Sequence, residues 1–137
     1  MRIFEKQEDL DRENKAIKAF VNVFDGDFKK LDQLDVDYKI IDSSGNLIAY
    51  AEVKGRIRVI RDAFPLPISL YKLGKLMDKR IAGVVIWACD DGIIYGKPKD
   101  IYGTVRWGGR PQREGSYSDA ELMVYYDKQK GLKYIRY

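Results

Sequence analysis

Apolar and polar residues alternate with two different periods along this chain of 137 residues. Between Glu8 and Phe24 the apolar positions recur at helical spacing, and the glycine of Asp25-Gly26-Asp27 is a usual helix end. The same spacing returns over Ile68 to Arg80, after two prolines, and predicts a second helix. The almost wholly apolar run from Ile81 to Cys89 is typical of a strand buried on both faces of a sheet. The pattern therefore indicates an α/β protein.

Two apolar segments joined by a polar turn lie between these helices. Residues 35–41 and 47–54 have the strand, turn, strand pattern of a hairpin, with the turn over 42–46. Side chains alternate between the two faces of a strand. In the second strand Glu52 and Lys54 therefore point to one face, and a charged pair interrupts an otherwise apolar hairpin.

The register of this hairpin decides whether Asp37 lies on the same face as these charges. If two or four residues close the turn symmetrically around Ser44-Gly45, Asp37 lies directly opposite Glu52. Closing the turn one residue later places Asp37 opposite Lys54, still on that face. A three-residue loop turns Asp37 to the other face.

Two carboxylates that face each other across a strand pair repel and destabilise the sheet. A divalent cation between them removes the repulsion, and hard cations such as Mg²⁺ prefer carboxylate and carbonyl oxygens. The carbonyl of Val53 is a further candidate ligand, because it lies between two side chains that converge. Lys54 can then position an attacking water. This donor set predicts a hydrolytic site for a phosphodiester.

The alternative is an ordinary charged strand end. Glu and Lys are among the commonest residues, and Glu13-Asn14-Lys15 repeats the spacing within the first predicted helix. A solvated ion pair explains such a triplet as well. The apolar strands around the charges favour the catalytic interpretation.

Asp37, the turn, Glu52-Val53-Lys54 and the helix after Pro67 resemble the PD-(D/E)XK nuclease core over roughly residues 8 to 95. This family includes restriction endonucleases, Holliday-junction resolvases and small phage nucleases. The resemblance implies a restriction-endonuclease-like fold, in which a helix, a three-stranded antiparallel meander, a helix and a strand follow one another. Here we expect a C-terminal β-hairpin extension as well.

The resemblance also implies roles for single residues. Asp37 and Glu52 would bind Mg²⁺, with Mn²⁺ as an alternative, and Lys54 would serve the attacking water. A glutamate of the preceding helix often joins the metal, and the matching positions here are Glu13 and, behind it, Glu8.

The motif departs from the family pattern at its proline. Val36 stands in that place, directly before Asp37. Asp35 lies two residues away on the same face of the strand, so it stays open as the metal ligand instead of Asp37.

Composition narrows the chemistry further. The chain has no histidine, which excludes His-dependent triads and typical zinc sites, and its single cysteine, Cys89, excludes an internal disulfide. The formal net charge is +4. Basic residues beside the predicted site, and polar residues that open the second helix, are candidate DNA contacts. They are Arg56, Arg58, Arg61, Ser69 and Lys72.

Three further segments carry weaker predictions. Residues 55–60 alternate apolar and basic side chains and predict either the third strand or a basic arm. The glycine-rich segment Trp107 to Gly115 is a candidate substrate loop. Segments 122–126 and 132–137 predict the C-terminal hairpin, whose tyrosines would cover a core or a subunit interface.

Together these features predict one domain over 1–137 that acts as a Mg²⁺-dependent DNA endonuclease. Small size favours a structure-selective enzyme of the junction or repair and recombination type, working as a homodimer. RNA stays open as a substrate. We expect a cytoplasmic location, in a bacterium or a phage-infected host, without membrane contact. The alternatives are a non-catalytic nucleic-acid-binding protein with a nuclease-like fold and a structural or assembly subunit.

Overall fold

The computed structural model describes residues 7–31, 36–108 and 121–137. The helices are α1 (Gln7–Asn22) and α2 (Leu70–Met77), and two short 3-10 helices cover Ile60–Asp62 and Pro98–Asp100. The strands, in chain order, are β1 (Asp27–Lys30), β2 (Tyr38–Ile41), β3 (Leu47–Gly55), β4 (Leu66–Ser69), β5 (Gly83–Ala88), β6 (Gly92–Gly96), β7 (Gly103–Gly108), β8 (Glu121–Tyr126) and β9 (Lys133–Arg136).

Nine strands form two sheets in the described part of the chain. The larger sheet has the order β1-β2-β3-β5-β6-β9, and the smaller sheet has the order β4-β8-β7. Within the larger sheet β3 and β5 are parallel, and the other neighbours are antiparallel. The connection from β3 to β5 carries β4 and α2, so one crossover supplies both the second helix and the first strand of the small sheet.

The larger sheet lies between two layers. Helix α1 packs its buried residues, Ala16 and Ile17 among them, against one face of the sheet. On the other face α2 and the small sheet bury Leu73, Trp87 and Tyr126 in a second core. Alternate residues of β5 enter the two cores, as expected for a strand covered on both faces, so the apolar run from 81 to 89 is explained.

The small sheet is held to the larger one through Trp87. This side chain is fully buried, and its indole N–H donates a hydrogen bond to the carbonyl of Pro67 at 2.7 Å. Its ring also meets Tyr126 edge to face, with the centroids 5.6 Å apart. One residue of β5 therefore contacts both β4 and β8.

The predicted third strand over 55–60 is wrong. β3 ends at Gly55, and Arg56 then folds the chain back, since its side chain donates to the carbonyls of Ala63 at 2.8 Å and Pro65 at 3.3 Å. The meander is completed instead by β1, whose residues are exposed except for the half-buried Phe28. So little apolar patterning explains why the sequence does not indicate this strand.

The predicted C-terminal hairpin is also wrong. β8 is the middle strand of the small sheet, and β9 lies at the edge of the larger sheet beside β6. The two strands point their apolar residues into different cores, with Tyr126 in one and Ile135 against the other. The sequence predicts both strands correctly. They do not pair with each other, because each one buries its apolar residues in a different core.

The second helix begins later than its pattern indicates. Residues 66–69 form β4 rather than a helix start, and Ser69 caps α2 by accepting a hydrogen bond from the N–H of Lys72 at 3.4 Å. Met77 ends the helix with 59% of its surface exposed, although its spacing predicts a buried position. Neither helix of the described residues has the length and hydrophobicity that crossing a membrane requires.

Replacing Trp87 with phenylalanine should lower the free energy of unfolding by about 1–3 kcal/mol, because it removes the donor to the part-buried Pro67 carbonyl. Denaturant unfolding followed by circular dichroism measures this change. Trp107→Phe is the matched control, since Trp107 is 71% exposed and should change stability by less than about 0.5 kcal/mol. Equal losses in the two variants would contradict the proposed link between the sheets.

Candidate active site

The β2–β3 hairpin has the register that brings the two carboxylates together. Tyr38 pairs with Ala51 and Ile40 pairs with Ala49, with a bulge between Ile40 and Ile41 next to the turn. Continued by one residue, this register places Asp37 opposite Glu52. The bulge accommodates the irregular turn, and the pairing from Ile40 to Tyr38 stays regular.

Asp37 lies just beyond the start of β2 and is half-buried. Its carboxylate oxygen Oδ2 accepts a hydrogen bond from the backbone N–H of Val53 at 2.8 Å. The N–H and C=O groups of one strand residue point to the same side, so the Val53 carbonyl also points to the side of Asp37. This carbonyl is therefore a candidate oxygen ligand beside the Asp37 carboxylate.

Glu52 is the one charged residue buried within the described part of the chain, with 4% of its surface exposed. Burial above all, and then the negative charge of Asp37, raise the pKa of its carboxyl to about 8. The ammonium of Lys72 opposes this shift, with Nζ 3.7 Å from Oε2 of Glu52. The carboxyl pair therefore carries an electrostatic cost that Lys72 offsets only in part.

A cavity of about 210 Å³ opens directly over this carboxyl. β3 forms its floor, the first turn of α2 forms one wall, and the beginning of β8 forms another. The polar side chains that line it are Glu52, Lys54, Ser69, Lys72 and Glu121. Lys54 thus shares the cavity with Glu52, as the alternation along the strand predicts.

Glu121 is a cavity residue that sequence reasoning missed. Its carboxylate accepts a hydrogen bond from the hydroxyl of Ser69 at 3.2 Å, and Ser69 in turn caps the helix that carries Lys72. Glu121 opens β8, far along the chain from the hairpin. No local motif marks such a residue, because only the pairing of β8 with β4 brings it to the site.

Glu13 lies on α1, at the face of the sheet opposite Glu52, and its carboxylate is 2.9 Å from Nζ of Lys30. It lines a second cavity, of about 320 Å³, together with Lys54. Glu8 lines a third cavity beside Cys89, and Asp35 is outside the described residues. Among the residues described, no three acidic, histidine or cysteine side chains are grouped to hold a metal ion.

The predicted DNA contacts fall into two groups. Arg56 is half-buried and holds its loop through backbone carbonyls, which gives it a structural role. Arg58 and Arg61 are exposed beyond the end of β3, and Arg61 also lies 3.6 Å from Asp62. Ser69 and Lys72 lie at the cavity itself.

The donor set of this site fits a hard divalent cation. Two carboxylates and one carbonyl supply only oxygen, which Mg²⁺ and Mn²⁺ accept readily. The buried Glu52 with its raised pKa is stabilised as an anion by any cation placed between it and Asp37. The arrangement can therefore hold a metal and present it to a phosphate in the cavity.

Residues 1–131 match a family model described as "Phage putative PDDEXK endonuclease". Comparisons with curated proteins and with solved structures returned no match. The family match covers both helices, β1 to β8 and every residue of the carboxylate site.

In EDTA the free energy of unfolding should fall as the pH rises from about 5 to 8. The pKa of Glu52 is near 8 in the folded protein, against an ordinary value of 4.5, so the folded state keeps a proton that the unfolded chain has released. One pKa unit corresponds to about 1.4 kcal/mol, so the loss is on the order of a few kcal/mol. Urea unfolding at several pH values measures it.

Glu52→Gln is the control for this pH dependence, because it keeps the shape of the side chain and removes the titrating group. The difference in stability between the wild type and this variant should grow in favour of the variant from pH 5 to pH 8. A constant difference across this range would show that the Glu52 carboxyl carries no such electrostatic cost.

Proposed function

Since the chain belongs to the phage PDDEXK endonuclease family, we propose that Asp37 and Glu52 hold Mg²⁺ for the hydrolysis of DNA phosphodiester bonds. The observation that carries this proposal is the buried Glu52 carboxyl, placed opposite Asp37 at the floor of an open cavity. The order of α1, the β1–β3 meander, α2 and β5 supports a restriction-endonuclease-like core around this site.

The residues of the carboxylate site have distinct parts in this mechanism. Asp37, Glu52 and the carbonyl of Val53 hold the cation, which supplies Lewis acidity for the phosphate and lowers the pKa of a water molecule. Lys54 lies on the face of Glu52 and orients the attacking water through its ammonium group. It also stabilises the negative charge that develops on the phosphate oxygens.

Lys72 contributes a second positive charge at the cavity. It lies 3.7 Å from Glu52 before a cation binds, and its side chain is 57% exposed. With a cation held at Glu52, the Lys72 ammonium would be released to contact a phosphate of the DNA backbone. The exposed Arg58 and Arg61 extend the basic surface beyond the end of β3.

Structure-selective cutting and action as a homodimer are further parts of the proposal. The described strands form two sheets around the site, and we propose that they read the shape of the DNA rather than a long base sequence. Two nicks at symmetric positions require two sites, and a dimer related by a two-fold axis supplies them.

Asp37→Asn and Glu52→Gln should each reduce cleavage at least about 100-fold, because even residues that only support metal ligands contribute about 10–100-fold. A plasmid and a four-way junction, each with Mg²⁺, Mn²⁺ or EDTA, are suitable substrates. Asp127→Asn is the matched control, an exposed carboxylate in the turn after β8. Wild-type rates in either site variant would overturn the site assignment.

The same assay separates the nuclease from a non-catalytic binding protein. A wild-type chain that binds DNA in a salt-dependent manner and cuts no substrate with any metal would be a nucleic-acid-binding protein with a nuclease-like fold. Metal-dependent cutting that disappears in Glu52→Gln supports the endonuclease.

The third carboxylate of the metal site can be tested by Mn²⁺ binding. Glu13→Gln tests the prediction from the family motif, and Glu121→Gln tests the carboxylate that lines the cavity. Titration calorimetry should show about 10–100-fold weaker Mn²⁺ binding in the variant that removes a ligand or its support. Unchanged Mn²⁺ affinity in both variants would limit the protein ligands to the hairpin.

A further inference from the structure

An exposed apolar strip lies on the small sheet, beside the carboxylate cavity. It consists of Val105 and Trp107 on β7 and Leu122 on β8, with exposed fractions of 52%, 71% and 39%. We call these three residues the Trp107 strip. Trp107 pairs directly with Leu122, and Val105 lies two residues before it, so the three side chains share one face of the sheet.

A row of paired residues connects the Trp107 strip to the wall of the cavity, two strands away. Val105 pairs with Val124, and Val124 pairs with Ile68, which lines the cavity. With strands about 4.8 Å apart, β7 lies about 10 Å from β4. The residue pair after Trp107 and Leu122 joins Gly108 to Glu121, which lines the cavity from the opposite face of the small sheet. The exposed indole therefore lies at the end of β7 that borders the candidate active site.

A positive charge on β7 lies on the face of the sheet opposite the strip. Arg106 points to the opposite face of β7, where its guanidinium lies 4.3 Å from the ring centroid of Tyr125. The guanidinium is therefore separated from the indole by the sheet, and the indole itself stays exposed. A charged residue between two apolar ones on an outer strand also disfavours pairing with a second copy of the strand.

We infer that the Trp107 strip binds an unpaired nucleobase of the DNA strand whose phosphodiester lies at Asp37 and Glu52. The inference rests on the proposed function, because that function brings a DNA strand to the cavity. An exposed aromatic ring stacks on any base whose face is open. Bases inside a duplex have both faces covered by their neighbours, so the strip selects DNA with unpaired nucleotides.

The two tryptophans of the chain make the inference directly measurable. Trp87 is fully buried and Trp107 is 71% exposed, so a stacked base should quench the emission of Trp107 alone. The experiment uses the full chain carrying Glu52→Gln, with Mg²⁺, so that the DNA stays uncut. The probes are a fluorescently labelled single-stranded oligonucleotide and the matching duplex.

Single-stranded DNA should quench tryptophan emission, and the duplex should quench it much less. Adding Trp107→Leu should abolish the quenching and weaken single-strand binding about tenfold by anisotropy, while duplex binding changes less than about twofold. Tyr102→Leu is the matched control, an exposed aromatic residue just before β7. It should leave both affinities unchanged.

Three results would overturn the inference: DNA binding without quenching, equal affinities before and after Trp107→Leu, and a blue shift that grows with protein concentration without DNA. The blue shift would show that the strip is an interface with a second copy of the chain instead. Cleavage by the wild type is scored separately. Quenching by DNA in a protein whose wild type cuts no substrate would support base binding by the Trp107 strip and contradict the proposed nuclease function.

Discussion

The burial of one carboxyl group opposite another is the constraint on which this structure depends. Glu52 lies in the middle of a covered sheet, and Asp37 is held beside it by the N–H of Val53. Burial of a charge without full compensation costs free energy, and Lys72 at 3.7 Å compensates only in part. An apolar residue at position 52 would avoid this cost, since Val85 is its paired neighbour on the same face. This cost is the physical reason for proposing a cation at the site.

The surrounding elements keep this carboxyl both buried and accessible. α2 and the small sheet cover the face of β3 on which Glu52 lies, while the cavity between them leaves an approach for a ligand. Ser69 joins the two covering elements, because it caps α2 and donates a hydrogen bond to Glu121 of β8. The Trp87 indole holds the small sheet in place below. The Ser69 cap of α2 and the packing of the small sheet therefore shape the opening of the cavity together.

The sequence predicts the parts of the site that lie close together along the chain. The shared face of Glu52 and Lys54 and the position of Lys72 near the site follow from strand alternation and helix spacing. The hairpin register is one of three that the sequence leaves open. Glu121 and β1 could not be predicted in this way. Glu121 reaches the cavity only through a strand pairing across a long separation, and β1 is too short and exposed to show a strand pattern. The separation of β8 from β9 depends on which core each strand fills, and periodicity does not encode that choice.

The β2–β3 hairpin has an evolutionary consequence. Its short stretch of chain holds both carboxylates, the Val53 carbonyl and Lys54, whereas the groups that would touch the rest of a substrate come from α2, β7 and β8. Mutations in those outer elements can change which nucleic acid is accepted while the hairpin keeps its chemistry. On the proposed function, the hairpin is one heritable unit of catalysis, and lineages that share it are expected to diverge first in the small sheet.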